Sequence, residues 1–213
     1  MAQDREKKKA EEASKRQQVQ QAQRRKALVR RATLGAVALA ALAGTGYCVI
    51  SERRFMADVA TTDYPAARHM AGGIAYLETP PMGGPHNVAW QNCGIYSSPI
   101  HNEHAVHSLE HGAVWITYRP DLPGADIQRL NTLASDDYML LSPFPNLPAP
   151  VVVSAWNHQM RLTGADDPRL PEFIRRFKNN PRTTPEFGAS CFGGTAALAT
   201  ANSLNTGGGP IVR

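Results

Sequence analysis

The sequence predicts an α+β domain, a mostly antiparallel sheet with helices packed on it, behind one transmembrane helix. Three observations predict it. Elements beyond residue 100 run helix, strand, helix, strand, strand, helix, an order that suits separate layers of sheet and helix. Residues 32–50 form a run of nineteen residues without a charge. Residues 101–112 place an amphipathic helical pattern directly before the apolar strand pattern of 113–118, which pins the helix to a core.

Taken in order, residues 1–31 carry eleven Lys and Arg against four Asp and Glu, a net of +7. The rest of the chain carries twelve against fourteen, so the basic pI belongs to this arm alone. The arm is read as a cytoplasmic topology signal beside a lipid bilayer, and no nucleic acid is expected as a partner. Residues 32–50 would span about 29 Å as a helix, close to the hydrocarbon thickness of a membrane. Arg24, Arg25, Lys26, Arg30 and Arg31 orient the span with the N-terminus in the cytoplasm and the remainder outside. A cleaved signal peptide is the alternative, since Ala41-Leu-Ala43 before Gly44 has the small-x-small pattern. Either reading gives a cell-membrane or exported protein with an extracytoplasmic domain.

Residues 51–68 read as a linker and 69–191 as the domain. A short strand is expected near 74–77. Residues 79–86, Thr79-Pro-Pro-Met-Gly-Gly-Pro-His86, hold three prolines and two glycines, so they form a rigid turning loop. A strand follows the opening helix at 113–119, then a helix over 125–134, a short strand at 138–141 and a Pro-rich connection over 142–150. Residues 151–162 read as one long strand, and 168–179 as an amphipathic helix carrying Leu170, Phe173, Ile174 and Phe177. Residues 192–213 lose all periodicity and are expected to be a disordered tail. Cys48 lies in the apolar run, which leaves Cys93 and Cys191 as one pair in an oxidising compartment. A disulfide between them would close a loop of about a hundred residues, worth up to ~4–5 kcal/mol in the chain-entropy model. The alternative is two unrelated thiols, one of them a metal ligand.

The chemistry gathers on the opening helix. Over 102–111, Ala105, Val106 and Leu109 share one face. Glu103, His104, His107, Glu110 and His111 fall within roughly a 120° arc on the other. Gly112 is placed to end the helix at C′. His107-Ser-Leu-Glu-His111 matches the H-x-x-E-H pattern of inverted zinc peptidases, because His at i and i+4 can ligate one ion from one face. Such enzymes need a third ligand, for which Glu186 lies at a suitable sequence distance, and they enclose substrate in chambers larger than this domain. Ser108 cannot act with His107, since adjacent helical residues point about 100° apart. No phosphate loop, dinucleotide fingerprint or CxxC motif is present.

A binding site asks for less. His69, His86, His104, His107 and His111 fall within 43 residues, with Met70 and Met82 nearby in sequence. Imidazole with thioether suits copper, whereas imidazole with carboxylate suits zinc. His101, His104 and His158, taken singly, read as surface or hydrogen-bonded residues. The competing role for His107 and His111 is to fasten the Pro-rich loop to the helix through hydrogen bonds.

Several separated motifs resemble one family. They are Pro80-Pro-Met-Gly-Gly-Pro-His86, Cys93-Gly-Ile-Tyr96, the run from Val106 to Tyr118, Ala155-Trp156 and Pro185-Glu186 before Cys191. In this order, over residues 65–191, the chain resembles the bacterial domain-of-unknown-function family 3105. The resemblance implies a single-anchor protein with an extracytoplasmic domain and no established activity. The histidines it carries over are His69, His86, His107 and His111. The family's usual loop has Thr or Ser where Met82 and Gly83 stand, which sets Met82 apart from that set.

The functional expectation is a membrane-anchored domain that binds a transition metal, copper before zinc, through His107, His111, His86 and His69. Glu110 would orient these ligands from behind or serve as an occasional ligand. The role would be metal handling or support of a membrane-bound metalloenzyme. The alternatives are a metal-free assembly module and a small metal hydrolase, with the balance against an enzyme.

Overall fold

The computed structural model describes residues 2–199. The chain divides into two compact units, Met1–Arg54 and Phe55–Arg213, each described by itself.

The first unit is helical. Helix α1 (Ala2–Ala57) takes in the basic arm, the apolar run and the opening residues of the expected linker as one element. Its composition explains the continuity: Ala, Leu, Lys, Arg, Glu and Gln dominate, and no proline occurs before Pro65. Thr33 and Thr45 donate their hydroxyls to the carbonyls three residues back, so these polar groups are satisfied within the helix. Among the described residues, this helix is long and apolar enough to cross a membrane.

The second unit is built on a six-stranded sheet ordered β1-β6-β5-β3-β4-β2. In chain order its elements are β1 (Ala60–Thr61), β2 (Gly94–Ile95), α2 (Asn102–Glu110), β3 (Val114–Tyr118) and α3 (Gly124–Leu133). β4 (Met139–Pro143), β5 (Val151–Ala155), β6 (His158–Leu162) and α4 (Arg169–Phe177) follow. The α+β class holds, with one correction: the sheet is mixed. β1–β6, β5–β6 and β3–β5 pair antiparallel, whereas β3–β4 and β2–β4 pair parallel. The cause is α3, which carries the chain back along the sheet after β3 so that β4 starts at the same end.

The long strand expected over 151–162 is a hairpin. Ala155 pairs with His158 across a two-residue turn, and Asn157 occupies it at φ 62°. The Asn157 amide also holds the entering chain. Its Oδ1 accepts from the Tyr64 amide and the Thr62 hydroxyl at 2.9 Å, and its Nδ2 donates to Tyr64 O at 3.1 Å. Residues 51–68 are therefore structured: they complete α1, form β1 and dock on this turn. No strand forms at 74–77. The disordered tail expected from residue 192 is ordered through 199, where Asn92 N bonds Thr195 O at 2.7 Å and Ala199 N bonds Pro99 O at 2.8 Å. Residues 200–213 lie outside the described residues.

Both faces of the sheet are covered, which is why β3, β4 and β5 are buried at every position. On one face Val114, Ile116, Met139, Leu141, Val151 and Val153 pack with Leu130 of α3 and Leu170, Phe173 and Phe177 of α4. On the other, Trp115, Leu140 and Val152 pack with Ala105, Val106 and Leu109 of α2. Each fully buried Leu, Val or Phe contributes on the order of 1.5–3 kcal/mol by removal from water. The second layer fixes α2, and α2 fixes the site.

Candidate metal centre

Helix α2 ends in a Schellman motif. Gly112 N donates to Leu109 O at 3.0 Å and Ala113 N to Ser108 O at 2.9 Å, with Gly112 at φ 102°. The helix passes directly into β3, so His107, Glu110 and His111 are held one step from the core. Beyond Glu103 and His104 its polar face is closed off from solvent. Residues Ala105 through Glu110 are all buried, because the chain around 67–91 and 185–191 closes over that face.

The covering loops attach by backbone bonds. Gln91 N donates to His104 O at 3.0 Å, Asn87 N to Glu103 O at 3.2 Å and Glu186 N to Glu110 O at 3.1 Å. Ser108 is used here, its hydroxyl donating to Gln91 O at 2.6 Å, which is a clamp and not a nucleophile. Arg68 O accepts from His86 N at 3.0 Å and His86 O from Met70 N at 2.7 Å. This local parallel pairing sets the rings of His69 and His86 edge to face, with centroids 5.0 Å apart. Cys93 and Cys191 are joined by a disulfide with Cα atoms 5.4 Å apart, which ties the segment before 191 to the loop carrying Trp90.

Three imidazoles share one orientation. Nδ1 of His86 lies 2.9 Å from Gly84 O, Nδ1 of His107 2.7 Å from Asn87 O, and Nδ1 of His111 2.7 Å from Ser190 O. A carbonyl only accepts, so each Nδ1 carries a proton, and a neutral ring then presents its lone pair on Nε2. That is how metal-ligating histidines are held. Burial pushes the His107 imidazole down to about 4, outweighing the Asn87 carbonyl, so the ring is neutral near pH 7.

Glu110 completes the arrangement. Its Oε1 accepts from Ala67 N at 2.6 Å, and Oε2 stands 3.0 Å from Nε2 of His86, both side chains fully buried. The two atoms are in contact but off the angle of a hydrogen bond, so neither is satisfied. Burial alone would push the carboxyl up. The adjacent His86 ring, the Ala67 amide and His107 more than offset this and hold it below the ordinary carboxylate value.

The donor atoms fall into two groups that meet at His107. His69, His86, His107 and Glu110 form one, and His107, His111 and Glu186 the other, each with all donors within 4.8 Å of one another. Ligands around a tetrahedral ion with bonds of 2.0–2.1 Å stand about 3.4 Å apart, so small ring rotations bring either group to bonding geometry. Nε2 of His111 lies 3.2 Å from Oε2 of Glu186. His111, expected beside His86 and His69, thus pairs with Glu186, and Glu110, expected as an orienter or an occasional ligand, stands among the donors. His101 and His104 meet edge to face, with His104 Nδ1 bonded to Ala89 O, and His158 bonds Trp156 O. Met82 lines a cavity with Leu77, Glu78 and Arg161. Glu186 was visible in the sequence as a candidate third ligand for His107 and His111 by its distance alone, one carboxylate among fourteen; its further mark is its place five residues before Cys191.

The family model described as protein of unknown function (DUF3105) matches residues 68–193, which include all six donors and both disulfide cysteines. No curated protein matches the chain, and no solved structure matches it.

Proposed function

The chain belongs to the family of proteins of unknown function DUF3105, and on that footing we propose that its domain binds a divalent transition-metal ion outside the membrane. The observation that carries the reading is the set of Nδ1-anchored imidazoles whose Nε2 atoms converge on a buried, unsatisfied carboxylate. A lone pair facing a carboxylate oxygen at 3.0 Å is repelled unless a proton or cation lies between them. His69, His86, His107 and Glu110 are the ligands of this ion. Three imidazoles with one carboxylate suit zinc(II) or copper(II). The basic residues before the apolar run support a single-pass anchor with the N-terminus in the cytoplasm. The biological role is metal handling or support of a membrane metalloenzyme.

A metal-free assembly module is the second reading, favoured by the bonds from His86, His107 and His111 to loop carbonyls, which fasten those loops to α2. A hydrolase fits less well, since Glu110 is held by the Ala67 amide and faces His86, away from a water it would need to activate.

Elemental analysis of the detergent-purified full chain after zinc or copper repletion separates these readings. We expect stoichiometric metal in the wild type and its loss in a His86→Ala, His107→Ala double variant. A wild type that folds and retains no metal leaves only the assembly module.

A further inference from the structure

The two donor groups share His107, and one imidazole nitrogen cannot bind two ions. Nδ1 of His107 is committed to Asn87 O, so Nε2 is its single offer. The six side chains nevertheless divide without sharing. His69, His86 and Glu110 make one set, and His107, His111 and Glu186 the other, each with two imidazoles and one carboxylate. We propose that the site is a two-cation centre, each set holding one divalent ion. This rests on the metal-binding reading above and extends it.

The second set is built in the same manner as the first. His107 and His111 both donate Nδ1 to carbonyls, at Asn87 and Ser190, and both therefore turn Nε2 toward the cluster. In each set a histidine Nε2 faces a carboxylate oxygen at short range, 3.0 Å for His86 with Glu110 and 3.2 Å for His111 with Glu186. Each pairing asks for a proton or a cation between its partners. Glu186 reaches His111 because its own amide bonds Glu110 O, the carbonyl at the end of α2. The Trp90 ring lies against His107 and His111, at centroid distances of 5.7 and 4.9 Å, and shields this set from water.

The charge distribution agrees. Two dications in one small site repel strongly unless each carries an anionic ligand, and the site supplies one carboxylate per set. Each set also contains one ligand open to solvent, the exposed His69 and the Glu186 side chain at 40% exposure. An exposed ligand in each set lets each ion keep water on its remaining coordination positions. The first ion takes His107 together with His69, His86 and Glu110. The second draws His107 over to His111 and Glu186, leaving three protein ligands on each. The rings of His86 and His107, one from each set, are 4.7 Å apart at their centroids, so the two ions are near neighbours.

The test uses detergent-purified full chain, stripped with chelator and titrated with Co2+ alone, with Cu2+ as a paramagnetic probe in a second series. We expect two equivalents of Co2+ in the wild type and a dipolar-coupled pair signal at two equivalents of Cu2+. Glu186→Gln, at a partly exposed position, should bind one equivalent tightly, weaken the other on the order of tenfold or more, and abolish the coupled signal. His69→Gln, at the exposed ligand of the other set, should also leave one tightly bound equivalent. One equivalent in the wild type, unchanged by Glu186→Gln, overturns the two-cation centre and leaves the single-ion reading standing. Two uncoupled equivalents also overturn it, since the second ion then lies elsewhere. No equivalent in a folded wild type overturns both.

Discussion

At the scale of single residues, His107 is the position on which geometry and protonation agree most closely. Its ring is buried, its Nδ1 is committed to Asn87 O, and desolvation pushes it from the ordinary 6.5 to about 4. The folded state therefore binds a proton less readily than the unfolded state. A depressed folded pKa gives stability that is fully present above the unfolded value, near 6.5, and is lost as pH falls through about 4. Glu110, also held low, adds a loss of the same sign at more acidic pH. Chelator-treated protein should thus lose about 2–3 kcal/mol of unfolding free energy between pH 7 and pH 4 from His107. Denaturant unfolding at a series of pH values measures this directly. His107→Gln, whose amide can still donate to Asn87 O, should flatten the slope over that window, and an unchanged slope would remove His107 as its source.

At the scale of elements, the junction of α2 and β3 decides whether the cluster forms. Gly112 sits at φ 102°, and a Cβ there would meet Thr184 Cγ2 at 2.9 Å and the Asn179 Cα at 3.0 Å. The left-handed backbone and the close Asn179 backbone both exclude a side chain. Gly112→Ala should cost about 1–3 kcal/mol and lower metal affinity, because relief requires α2 to move against β3. Thermal unfolding with metal titration reads both effects, and an unaltered midpoint would show that the junction yields freely. The helix and its glycine stop were legible in the sequence because their signals are local: a 3.6-residue periodicity and one glycine before an apolar run. The hairpin over 151–162 was hidden because Trp156-Asn157 lacks the glycine that usually marks such a turn. The parallel pairing of β3 with β4 was implied by the helix between them, yet strand direction depends on how that helix crosses the sheet. The ligand partition was half legible: the i, i+4 spacing pointed to His107 and His111 with Glu186 as a third ligand, whereas the set of His69, His86 and Glu110 left no such sign. His69 meets His86 through a local backbone pairing, and Glu186 meets His111 through its bond to Glu110 O, neither of which leaves a periodic trace.

At the scale of the whole molecule, the proposed function depends on a single-pass anchor that holds the domain outside the membrane. Two independent features support that proposal. The eleven basic residues of the arm favour retention of the N-terminus in the cytoplasm. The Cys93–Cys191 disulfide, which anchors the segment bearing Glu186 and Ser190, requires an oxidising compartment to persist. A reduced pair would free that segment and loosen His111 from Ser190, so the second donor set depends on the compartment as much as on its residues. The chain should remain in carbonate-washed membranes at its full 23.2 kDa, as an uncleaved anchor demands. Protease added outside cells whose outer barrier has been opened should degrade the domain and spare the basic arm. Domain protected from that protease, with free Cys93 and Cys191 thiols, would place the metal site in the cytoplasm and sink the topology. A soluble, shortened chain would instead identify a cleaved signal peptide, and the domain would then act as a released metal-binding protein.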